Sequence, residues 1–250
     1  MKAHPFLIAL CFFLVSCSVE TELRRDSPQT VQDCLAAYLK GDYEAVYENS
    51  SEEMKSLYSE DVCLNILRFQ DKFLGKMVKA ELREETSGEY VTSVTDTLET
   101  AVTNIYYYTL ENESGEKYDM SVQFLQGHLL GLTILPPDWV NEPAFVRNLV
   151  EPVEQLIEAR DYHEFYELLD EQYPLSQIES VTQYIAEHCE GVPHRYKNYW
   201  TSKDKDGKAL VAFEYAYEGK GYLECRFFIE NDTYRLAGIH FTPKSGAKLP

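Results

Sequence analysis

Positive charge is scarce in this chain. Of 250 residues, 23 are Lys or Arg and 42 are Asp or Glu, a formal net charge of −19. No basic run offsets that balance, so phosphate backbones and anionic headgroups are repelled and no nucleic-acid partner is expected. After residue 17 no stretch reaches the ~18 apolar residues of a spanning helix. No two cysteines stand at the short spacing of a structural zinc site, so no metal is expected. Asp204-Lys205-Asp206-Gly207 opens like a calcium loop but lacks the later acids and the glutamate at the twelfth place, so a β-turn explains it better. No catalytic motif and no cofactor fingerprint is found.

What is there suits a folded protein. The composition is 44% hydrophobic and 13% aromatic, enough for a substantial core and unlike a disordered or low-complexity chain. The length exceeds one typical domain and suits two.

The first sixteen residues read as an address. Lys2 supplies one positive charge, and Pro5 to Val15 form an apolar run of signal-peptide length. It ends in Leu14-Val15-Ser16-Cys17, which resembles the bacterial lipobox. The resemblance implies cleavage before Cys17, diacylation of its sulfur and a lipid anchor in the membrane, and two or three acyl chains supply stable attachment. Residues 1–16 are then signal peptide and 17–28 a polar tether. Localisation follows as the bacterial cell envelope. Ser18 after the cysteine is compatible with the periplasmic face of an outer membrane.

With Cys11 in the removed peptide and Cys17 carrying lipid, Cys34, Cys63, Cys189 and Cys225 remain. Export makes disulfides chemically feasible, and four cysteines allow three pairings. Cys34–Cys63 with Cys189–Cys225 respects the two halves of the chain, and four buried thiols are the alternative.

The halves are similar. Asp42, Tyr43, Tyr47 and Glu48 recur as Asp161, Tyr162, Tyr166 and Glu167 at an offset of 119. Tyr106–Glu111 aligns with Phe213–Glu218, and Leu129, Gly131 and Pro136 with Leu236, Gly238 and Pro243, at an offset of 107. The first copy thus carries about twelve extra residues, expected around Thr86–Thr97. Each copy begins with helices. In the first, Val31, Cys34, Leu35 and Tyr38 make one apolar stripe, Gly41 suits a left-handed cap and Asp42 the next N-cap. A third helix presents Val62, Ile66, Phe69 and Phe73, or Ile178, Val181, Tyr184 and Ile185. In the second copy Asp161 and Glu164 have the form of a capping box, and Arg160 replaces the glycine, so that cap is expected to close differently. The period then changes to two. Tyr118, Met120, Val122 and Phe124, and Leu223, Cys225, Phe227 and Ile229, alternate with polar residues as half-buried antiparallel strands do. The fold class is α+β, with residues 29–137 and 138–250 as two repeats, each with helices on a meander of about four strands.

Helices, a Gly41-Asp42-Tyr43 junction and a curled four-stranded sheet resemble the nuclear-transport-factor-two-like, cystatin-like cone. The resemblance implies two tandem cone-like domains, each with an opening between helices and sheet. Enzymes of that superfamily place an acid or base in the opening, and other members only bind or assemble. The inward stripes include Tyr106, Tyr108, Tyr118, Tyr215 and Tyr217, candidate cavity linings, and contain no Asp, Glu or His. Core tyrosines with hydroxyls at the rim are the simpler reading. A Cys189–His188 or Cys189–His194 pair lacks the orienting group and oxyanion hole of cysteine catalysis. The expectation is a non-enzymatic envelope lipoprotein binding a protein partner or small apolar ligand. The alternatives are an isomerase- or hydratase-like enzyme with one active cone, and an assembly or chaperone-like subunit.

Overall fold

The computed structural model describes residues 28–95, 97–135, 142–160, 164–165, 169 and 175–244, with the backbone alone at 88–101 and 175–177. Cys17 with its signal peptide and tether, the 136–141 connection, and Asp161, Tyr162, His163 and Tyr166 lie outside the described residues.

The class is α+β, with helices and two four-stranded antiparallel sheets. Helices α1 (Gln29–Lys40), α2 (Tyr43–Glu48), α3 (Glu52–Leu57) and α4 (Glu60–Leu74) precede β1 (Met77–Thr95), β2 (Thr97–Asn112), β3 (Lys117–Leu125) and β4 (His128–Leu135). Helices α5 (Ala144–Ala159) and α6 (Leu175–His188) precede β5 (His194–Lys203), β6 (Ala209–Tyr217), β7 (Gly221–Glu230) and β8 (Thr233–Pro243). Both sheets are meanders in chain order, so β4 and β5 are edge strands. The alternation read from sequence places Tyr118, Met120, Val122 and Phe124 in the core, and Leu223, Cys225, Phe227 and Ile229 likewise.

The two sheets share irregularities as well as order. Ser50 forms an isolated parallel bridge to Leu129, and Leu169 forms one to Leu236. Those positions differ by 119 and 107, the two offsets that align the sequence. The β1–β2 pairing slips between Leu82 and Glu84, and the β5–β6 pairing between Tyr196 and Asn198. The last hairpin of each sheet slips too, at Gln123/Phe124 and at Arg226/Phe227. The extra residues of the first copy lie partly in its longer β1–β2 hairpin and partly before β1.

Local chemistry explains the helix boundaries. Gly41 closes α1 in the left-handed region, at φ 77°, and the Asp42 carboxylate accepts from the Ala45 N–H at 3.2 Å. Arg160 corrects an expectation. It ends α5 in the same left-handed conformation, at φ 55°, with its N–H on the Ile157 carbonyl. The cap closes as in the first copy, although a Cβ there costs about 1–2 kcal/mol.

Helix α4 also departs from the sequence pattern. It is not packed solely within its own half. Phe69 and Phe73 lie against the second sheet, with Phe73 4.1 Å from Tyr199 and 6.4 Å from Phe213, ring centre to ring centre. Phe69 meets Tyr199, Phe213 and Tyr234. The C-terminal end of the same helix is held by the first sheet. The Leu74 carbonyl accepts from Asn112 Nδ2 at 2.6 Å, and the Tyr118 hydroxyl stands 3.2 Å away. One continuous core therefore runs through both halves.

Cys34, Cys63, Cys189 and Cys225 are free thiols, each buried, so neither Cys34–Cys63 nor Cys189–Cys225 is bonded. Cys34 sits in the apolar stripe of α1 and Cys225 at the centre of β7, packed as small hydrophobes. Burial pushes the Cys34 thiol up to about 12 and Cys63 to about 11, the opposite of a reactive thiol.

Arg160→Gly is expected to raise stability by about 0.5–1 kcal/mol, because relief of the left-handed strain exceeds the flexibility that glycine adds to the unfolded chain. Urea unfolding reads this, and an unchanged or lower midpoint contradicts it.

Candidate functional site

A cleft of about 510 Å³ lies where the two halves meet. Edge strand β4 forms one wall and edge strand β5 another, with α4 and the end of α3 between them. Helix α4 offers Cys63, Ile66, Leu67 and Gln70, a face at i, i+3, i+4, i+7 spacing beside its aromatic face. No lining residue is Asp, Glu, Lys, Arg or His, in a chain that is 26% charged. Leu57, Leu135 and Trp200 border it and are exposed by 51%, 58% and 37%.

The cleft is pinned open by contacts at its ends. The Ser51 N–H donates to the Leu129 carbonyl at 2.7 Å, and the Leu129 N–H to the Asn49 carbonyl at 2.9 Å, covering the start of the β4 edge. From the second half, the Lys203 ammonium donates to the Leu57 carbonyl and stands 5.4 Å over the Tyr58 ring. Trp200 is held from the other side, its indole N–H donating to Glu224 at 2.9 Å, with the Arg226 guanidinium 5.8 Å over its ring. The rim is thus preorganised and its cations are engaged.

Two residues that border this cleft carry polar atoms sealed from solvent. Gln70 and Tyr199 are 6% and 9% exposed, and neither Gln70 Oε1 nor the Tyr199 hydroxyl has a hydrogen-bond partner in the described chain. The Tyr38 hydroxyl is in the same state, and the Tyr43 hydroxyl lies against Asp71, whose carboxyl is pushed above the usual range chiefly by burial.

A second cavity, of about 520 Å³, is lined by Glu154, Cys189, His194 and Tyr217. Glu154 on α5 is buried, yet Arg147 Nη1 stands 2.8 Å from Oε2 and His194 Nε2 2.6 Å from Oε1. The Oε1 contact is an ion pair without good hydrogen-bond alignment. Tyr217 stacks on the imidazole at 4.8 Å. Glu154 beside the ring raises the His194 pKa above its usual value, against the opposing effect of burial. The protonated imidazole is thereby favoured, and the buried carboxylate faces Arg147 on one oxygen and His194 on the other. Burial also raises the Cys189 thiol, and His188 is occupied by stacking on Tyr184 and by the Tyr184 carbonyl at 3.0 Å. Neither histidine makes a thiolate partner for Cys189. Among the described residues, no group of three or more His, Cys, Asp or Glu could hold a metal ion.

The tyrosines singled out from the sequence are dispersed. Tyr106 and Tyr108 are core, Tyr106 edge-on to Phe124. Tyr118 holds the end of α4. Tyr215 donates to Glu142, and Tyr217 is the one of the five that lines a described cavity. Gln70, Tyr199, Trp200 and the Glu154–His194 pair went unnoticed in the sequence. The second stripe on α4, apolar until Gln70, was the available signal for the cleft.

Comparison with family models, with curated proteins and with solved structures found no match to this chain. Among the described residues no helix is long and apolar enough to cross a membrane.

The raised His194 pKa fixes a sign. Its ion pair stabilises fully below the unfolded-state value, about 6.5, and that contribution is lost as pH rises through the higher folded-state value. His194→Gln should therefore lower stability more at pH 6 than at pH 9, measured by urea unfolding. A deficit that is equal at both pH values, or larger at pH 9, contradicts the ion pair.

Proposed function

We propose that this chain is a non-enzymatic lipoprotein of the bacterial envelope, anchored through acyl chains on Cys17 that residues 17–28 join to the folded body. Its two α+β repeats are tandem cone-like units of the nuclear-transport-factor-two-like kind, and they bind an apolar ligand, or an apolar segment of an envelope partner, at their junction. The carrying observation is the uncharged cleft bordered by exposed Leu57, Leu135 and Trp200. Exposed apolar surface gathered at a concavity is the usual mark of a binding site. The enzyme alternative needs a group able to exchange a proton in a cavity. His194 is engaged by Glu154 at 2.6 Å and burial raises the Cys189 thiol, so neither supports it.

The test is binding of the neutral apolar dye N-phenyl-1-naphthylamine, with mass spectrometry of the mature N-terminus. Diacylated Cys17 and dye binding are expected. Leu135→Asp, a change at an exposed rim position, should weaken dye affinity about tenfold, since a charge at an apolar contact must be desolvated. Equal affinity in that variant contradicts the cleft, and an unmodified Cys17 contradicts the anchor.

A further inference from the structure

We propose that the β1–β2 hairpin arm of one copy of this chain docks along edge strand β5 of a second copy and covers the junction cleft there. This rests on the cleft reading above and names the partner that supplies its apolar segment.

The arm lacks a partner in its own copy. Strand β2 pairs with β3 from Thr103 onward, whereas β1 and β2 stay paired from Glu89↔Val102 out to Thr95↔Thr97. A ribbon about 20 Å long thus projects past β3, with no third strand on either side among the described residues. A two-stranded ribbon is marginal alone in water, and both its edges present unpaired backbone groups. The second sheet has no counterpart, since β6 begins at Ala209 and pairs with β7 from Leu210. Val102, at the root of the arm, is 66% exposed, more than Leu57, Leu135 or Trp200 at the cleft. One contact between copies would cover both sets.

Charge selects the receiving edge. From Glu84 to Thr103 the sequence holds five acids and no base. A net charge of −19 repels copies of the chain in general, so this acidic arm needs a local basic edge. Of the four edge strands, β5 is the one that offers it. It carries Arg195, Lys197 and Lys203 and no acid, and Arg195 and Lys197 are exposed. Strand β1 has more acids than bases, β4 has neither Lys nor Arg, and β8 has Arg235 alone and is bridged at Leu236 by Leu169. Opposite charges on neighbouring strands stabilise their pairing. Tyr199, Trp200 and Thr201 place β5 on the cleft, so an arm added to that edge lies over the exposed Leu57, Leu135 and Trp200.

The test mixes unlabelled with heavy-isotope-labelled unaltered protein and cross-links them with a carbodiimide, which joins a carboxylate to an amine without a spacer. Mass spectrometry should find mixed-isotope peptides that join Lys197 to Glu89 or Glu99, with a yield that falls about fivefold at high salt. Links confined to single-isotope peptides, or none from the arm to β5, overturn the proposal. Energy transfer between C-terminally labelled copies, with neutral phosphatidylcholine vesicles present, reads association itself. Lys197→Glu should weaken it about tenfold, and so should Glu89→Lys with Glu99→Lys, while all three changes in one chain should restore most of it. Restoration cannot come from a chain that fails to fold, and weakening without restoration overturns the pairing. The dye titration above stands apart: dye binding without mixed-isotope links overturns the arm and leaves the cleft, whereas no dye binding overturns the cleft.

Discussion

The architecture depends on one packing contact, the seating of the aromatic face of α4 on the second sheet. Phe69 and Phe73 meet Tyr199 and Phe213, while Asn112 and Tyr118 hold the Leu74 carbonyl at the end of the same helix. One helix is thus fixed to the first sheet by hydrogen bonds and to the second by ring packing. Removing a buried phenylalanine of this sort costs about 3–5 kcal/mol. The cleft exists because α4 spans the junction. Its two stripes diverge, one filling the shared core and the other, from Cys63 to Gln70, facing the space between edge strands β4 and β5.

The junction also explains how two similar units come to offer one uncharged cavity. Edge strands invite unwanted pairing and are commonly charged or covered. Here β4 is covered at its start by Asn49–Ser51, and the remainder borders the cleft. The two sheets share their strand order and the positions of their bulges. The asymmetry lies in the helices, since α4 reaches across and α6 packs beside β8 and α5.

Much of the fold was legible. Alternation gave the strands, the two offsets gave the repeated order, and Gly41-Asp42 gave a helix junction whose cap geometry the structure reproduces. What the sequence hid was tertiary. Periodicity says that Phe69 and Phe73 are buried but not against which sheet, because an apolar stripe does not name its partner. Arg160 in a left-handed cap went unforeseen because propensity disfavours it and tertiary context overrides propensity. The buried Glu154 was hidden because nothing in a helical run marks a carboxylate whose partners are Arg147 on its own helix and His194 forty residues later. The cleft was half visible. Its apolar walls follow from patterning, but Gln70 reads as an ordinary polar position until its burial is known.

The most direct test of a shared core is hydrogen exchange by mass spectrometry on the unaltered protein and on Phe73→Ala. The core amides of both sheets should show one common protection in the unaltered protein and lose it together in the variant. Loss confined to β5–β8, with β1–β4 protected as before, would mean that the halves are independent bodies and that the cleft between them is not a built site.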